Sequence, residues 1–139
     1  MRLFLGLEGY LGAGSKWRMI TTILNPMLQD NLNELTYPFL DSIAIISIIV
    51  PEEYREGYTE RVYINRKRKY ADIRLHLNYK DFVFCSEPKR IKLFVEHLLT
   101  SLDTLKKKMR TDEEVMAMNE IIDITKSTCN KYMLDKSVQ

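Results

Sequence analysis

Residues 40–50 read Leu40-Asp-Ser-Ile-Ala-Ile-Ile-Ser-Ile-Ile-Val50, and Pro51 follows directly. Isoleucine dominates the run, and its branched β-carbon favours an extended chain. An almost continuously apolar strand leaves no side for water, so this segment is expected to be a central strand covered on both faces. Pro51 has no N–H to offer a neighbouring strand and ends it.

Downstream lies a polar loop, Pro51-Glu-Glu-Tyr-Arg-Glu-Gly-Tyr-Thr-Glu60, and then two amphipathic strands at about 61–66 and 71–79. In the second of these, Ala71, Ile73, Leu75, Leu77 and Tyr79 alternate with Asp72, Arg74, His76 and Asn78, the two-residue period of a half-buried strand. The basic segment Arg66-Lys-Arg-Lys69 makes the turn between them, which predicts an antiparallel hairpin with a cationic tip. After Cys85 the period becomes helical. Ser86 is placed to cap, Pro88 suits a first turn, and Ile91, Phe94, Val95, Leu98, Leu102 and Leu105 form one stripe. A capping box, Thr111 to Glu114, opens a second helix whose apolar face runs through Met118, Ile121, Cys129 and Tyr132.

Upstream, residues 2–8 read as a short strand leading into a glycine-rich connection with Gly9, Gly12 and Gly14, interrupted by Tyr10 and Leu11. Ser15 is the expected cap of a helix from Lys16, and Pro26 predicts a kink or an early stop near Asn25. The order is β-α-β-β-β-α-α. Strands followed by helices predict an α+β fold, with three helices on one face of a mostly antiparallel sheet of about four strands. Residues 1–134 are expected to form one domain, and 135–139 a frayed tail.

The chain has 139 residues, 45% of them hydrophobic, with 21 basic and 19 acidic side chains for a net charge of +2. That balance gives no whole-molecule pull toward nucleic acid or an anionic membrane. The N-terminus lacks the apolar region of a signal peptide, and no apolar run approaches the length that spans a bilayer. Cys85 and Cys129 show no CxxC or disulfide-framework spacing. A cytoplasmic protein with two reduced thiols is expected, with no membrane partner.

The glycine segment superficially resembles a phosphate cradle. A P-loop needs Gly-Lys-Ser/Thr, so that lysine reaches the terminal phosphates, whereas this chain has Gly14-Ser15-Lys16 and then Trp17. His76 and His97 have no ligand partner at metal spacing, and no carboxylate dyad or nucleophile elbow is evident. We therefore expect no catalytic residues, no cofactor and no metal, and a protein that works by binding another macromolecule. The best candidate surface is the acidic and aromatic loop with Glu52, Glu53, Tyr54, Glu56, Tyr58 and Glu60: carboxylates complement a basic partner, and tyrosine suits an interface centre. An ordinary exposed loop is the competing reading. The basic hairpin at 61–70, with Arg66 to Lys69 at its tip, offers an alternative function, a small nucleic-acid-binding accessory protein, although the acidic stretch at 51–60 interrupts its basic footprint.

Several segments together resemble a known family. They are Gly12-Ala-Gly-Ser-Lys-Trp17, Ile45-Ile-Ser-Ile-Ile-Val-Pro-Glu-Glu-Tyr54, Glu56-Gly-Tyr58, Ala71 to Tyr79 with Phe82, and Leu99-Thr-Ser-Leu-Asp-Thr-Leu-Lys106. The pattern is similar to the immunity protein 44 family of bacterial polymorphic-toxin systems, which include contact-dependent growth-inhibition pairs. The similarity runs over residues 1–108, and the last helix has only generic amphipathic character. The resemblance implies a non-enzymatic antidote that binds a cognate toxin domain and blocks its active site or an essential surface. It carries over no contact residues. A basic nuclease toxin would suit the four glutamates of the 52–60 loop.

Overall fold

A computed structural model describes residues 1–9 and 11–137, and of Leu11 the backbone alone. Strand β1 (Arg2–Gly9) leads into helix α1 (Leu11–Leu32), which returns the chain to β2 (Ser42–Ile49). A 3₁₀ helix (Glu52–Gly57) precedes the hairpin of β3 (Arg61–Asn65) and β4 (Tyr70–His76). Three helices follow: α2 (Tyr79–Val83), α3 (Glu87–Lys106) and α4 (Asp112–Ser137). The last helix therefore takes in residues 135–137 of the expected tail, while 138 and 139 lie outside the described residues.

The sheet order is β1-β2-β4-β3. β1 pairs with β2 in parallel, β2 pairs with β4 in parallel, and only β3 and β4 are antiparallel. The expected mostly antiparallel sheet is thus corrected to a mixed one, in an α+β fold with one more helix than expected. The reason is connectivity. Helix α1 returns the chain so that β2 runs alongside β1, and the hairpin folds back to insert β4 between β2 and β3.

The register gives each face its own chemistry. Leu3, Ile43 and Ala71 lie abreast, as do Leu5, Ile45 and Ile73, and this face joins α1, α3 and α4 in one core with Leu24, Leu28, Phe94, Leu98 and Met118. Helix α1 packs on β1, α3 packs on β3 and β4, and α4 packs on α1 and α3. The other face carries Phe4, Ile46, Ile48, Arg74 and Tyr63. There Arg74 pairs with Asp72 at 3.1 Å and with Glu8, reaching across β2 above Ile46 and Ile48. Both isoleucines are buried, so β2 is covered on both faces as its composition requires.

Three local expectations change. Helix α1 begins at Leu11, so Gly12 and Gly14 are helical and Ser15 is not its cap; Tyr10 lies outside the described residues. A Cβ on Gly12 would sit 3.2 Å from the Tyr79 hydroxyl, so glycine there allows α1 to pass close to α2. Pro26 does not stop the helix near Asn25, because α1 continues to Leu32 with the proline inside it. The predicted strand to Tyr79 ends at His76: the Asn78 side chain accepts from Asp81 N at 3.0 Å and caps α2 instead.

Candidate partner-binding site

The loop singled out in the sequence leaves the carboxyl end of β2. Pro51 turns the chain, and the Tyr54 N–H donates to Pro51 O at 2.9 Å to start the 3₁₀ helix. Within it Glu52, Glu53, Tyr54 and Glu56 are all exposed. Glu52, Glu53 and Glu56 have no ion-pair partner among the described residues. Three unneutralised carboxylates on two short turns raise the local negative potential around Arg55, the sole cation of the turn.

The other two candidates play a different part. Tyr58 is half-buried, and its carbonyl accepts from His76 Nε2 at 2.7 Å, which fixes the proton on that nitrogen. Glu60 is exposed, but its carboxylate accepts from the His76 N–H at 2.9 Å and so terminates β4. The structure thus leaves Glu52, Glu53, Tyr54 and Glu56 exposed on one short 3₁₀ helix, and it uses Tyr58 and Glu60 to moor the loop.

Beside the turn is a crevice of about 230 Å³ lined by Val50, Pro51, Glu52, Glu53, Tyr79 and Phe84, among others. Phe84 is 75% exposed, and its ring meets Tyr79 edge-on with centroids 6.2 Å apart. Arg90 holds this corner, donating to the carbonyls of Phe82, Val83 and Cys85 at 2.6, 3.2 and 2.8 Å. The sequence reading missed Phe84, because an apolar residue beside Phe82 and Val83 looks like core until the short α2 turns it outward.

The basic hairpin tip is interrupted. Arg66 Nε and Nη2 donate to the two carboxylate oxygens of Glu114, both at 2.9 Å, and Nη2 also meets Lys108 O at 3.1 Å. The paired guanidinium holds the Glu114 carboxyl below the usual carboxylate range. The box opening α4 forms only in part. Glu114 N donates to Thr111 Oγ1 at 3.1 Å, but the Glu114 carboxylate serves Arg110 N and Arg66. Of the four tip cations, Lys67, Arg68 and Lys69 remain exposed.

One hydroxyl–imidazole pair exists in the core: Ser47 Oγ lies 3.0 Å from His97 Nε2. Both residues are buried, and burial pushes the imidazole down to about 4. Sealed between β2 and α3, the pair is a core contact that sequence spacing did not reveal. Burial likewise pushes the Cys129 thiol up to about 12, which leaves it a poor nucleophile at neutral pH. Among the described residues, no group of three His, Cys, Asp or Glu side chains is placed to hold a metal ion. No described helix is long and apolar enough to cross a membrane.

The model of a family described as immunity protein 44 matches residues 1–135. The chain belongs to the immunity protein 44 family. No curated protein and no solved structure matches it. The match extends past residue 108 through nearly all of α4, so this immunity protein includes its last helix as family structure rather than as a generic addition. Membership gives the immunity protein an antitoxin-like role, that of an inhibitor of a toxin protein.

Proposed function

We propose that this chain neutralises a cognate bacterial toxin domain of the polymorphic or contact-dependent growth-inhibition kind, a nuclease, by covering its active site or an essential surface in the cytoplasm. The family match over residues 1–135 carries the reading. The exposed turn supplies its chemistry. Nuclease clefts are cationic because they hold phosphates, and Glu52, Glu53 and Glu56 can occupy such positions as carboxylates. Tyr54 and Phe84 add aromatic area, with exposures of 50% and 75%.

The test is co-expression with the toxin domain encoded beside it, followed by association kinetics of the purified pair. Growth rescue by the wild-type chain is expected. The triple variant E52Q/E53Q/E56Q, with Glu60 left to hold β4, should associate roughly tenfold more slowly at low salt and show a shallower salt dependence. Unchanged kinetics would remove the turn from the interface.

A further inference from the structure

At the opposite end of the sheet, the connection between α1 and β2 faces the first half of α4 across an open groove of about 940 Å³. Its apolar surface comes from Phe39, Ile124 and Met116, the last 69% exposed. Its rim carries Glu113, Glu120 and Asp123, and among the described residues no lysine or arginine lines it. On α4 the residues 113, 116, 120 and 123–124 follow helical spacing, so a single face alternates carboxylates with Met116 and Ile124.

A stripe of acidic residues on a helix is usually a solvated surface. Here it is one wall of a preformed groove. The opposite wall is pinned: the Tyr37 hydroxyl donates to Glu120, Leu40 N donates to Tyr37 O, and the Met1 ammonium donates to Leu35 O at 2.8 Å. A wall that is already ordered loses little freedom on binding. Glu114, the remaining carboxylate of the lining, is committed to Arg66, whereas Glu113 and Asp123 have no ion-pair partner among the described residues. Exposed methionine adapts its shape to what it covers.

We propose that this groove docks a cationic amphipathic segment of the toxin, with Lys or Arg side chains on the carboxylate rim and an apolar residue on Met116 and Phe39. The opening is too large for one side chain and suits a helix or extended segment. The proposal rests on the immunity reading and adds a second contact surface. That surface is separated from the 52–57 turn by the eight residues of β2, about 26 Å of strand. A partner touching both would grip the two ends of the sheet.

The experiment measures affinity of the purified toxin domain for the wild-type chain, for E113Q/D123N and for M116S, with thermal unfolding of each. At least tenfold weaker binding by both variants, with unfolding temperatures unchanged, is the expected result. E113K/D123K provides a second variant with reversed charge and should weaken binding further than E113Q/D123N. If the wild-type chain binds and rescues growth while all three variants bind within twofold of it, the groove is not a docking surface and the immunity reading stands. If the wild-type chain neither binds nor rescues, the immunity reading itself fails and takes the groove's occupant with it.

Discussion

His97 shows how a single buried residue ties stability to pH. Its ring meets the Ser47 hydroxyl and has the Phe94 ring 6.3 Å away, centroid to centroid, and it stays neutral because charging it there would forfeit hydration. Burial pushes the folded imidazole down to about 4, against 6.5 for the free side chain. As pH falls below 6.5 the unfolded chain takes up a proton that the folded chain refuses, so stability is lost progressively down to about pH 4 and levels off below it. The difference corresponds to about 3 kcal/mol between the ends of that window. Urea unfolding from pH 7.5 to 4.5 should show this fall in the wild-type chain and a flattened profile in His97→Gln. A profile as steep in the variant would assign the proton uptake elsewhere. Glu114 acts in a lower window. Its depressed pKa contributes stability above the ordinary carboxylate range, and that stability is lost as the folded carboxyl protonates.

At the scale of elements, α1 tolerates a proline that local rules place at a helix end. Pro26 is exposed, so the helix loses a backbone bond to Thr22 without losing packing, and the contacts of Leu24, Leu28 and Leu32 carry the chain past it. Pro26→Ala should raise stability by about 2 kcal/mol, the helical gain being partly offset by a freer unfolded chain. A higher urea midpoint at unchanged slope is the expected reading; no gain would mean that the proline shapes the packing of α1 on α4. The same contrast explains what the sequence could reveal. β2, the hairpin and helices α3 and α4 are legible because their periods are local and strong. Parallel pairing is not, since nothing within residues 40–50 states that β1 and β4 will be the neighbours. Asn78 holds a cap signal, but the unbroken alternation from Ala71 to Tyr79 hides it. The exposed glutamates of the 52–56 turn are legible as charge; the use of Glu60 by His76, and a groove built from Tyr37, Phe39 and Met116, depend on contacts between distant parts of the chain.

Across the whole molecule, the net charge of +2 conceals segregation. Carboxylates collect on the 52–57 turn and along α4 from Asp112 to Asp123, while cations collect at Lys67, Arg68 and Lys69 and at Lys106, Lys107 and Lys108. A protein that bound nucleic acid through its hairpin would need a continuous cationic track, and the structure takes Arg66 out of that track to hold Glu114. With three exposed cations left at the tip, and Lys107, Lys108 and Arg110 exposed beside it, the dependence of log affinity on log salt for duplex DNA should be no steeper than about −5. Such binding fades at physiological ionic strength. Fluorescence anisotropy with a labelled duplex should therefore show weak binding at 50 mM salt and none at 150 mM. Tight DNA binding at 150 mM, lost on neutralising Lys67, Arg68 and Lys69, would make the hairpin the working surface and leave the carboxylates as spectators.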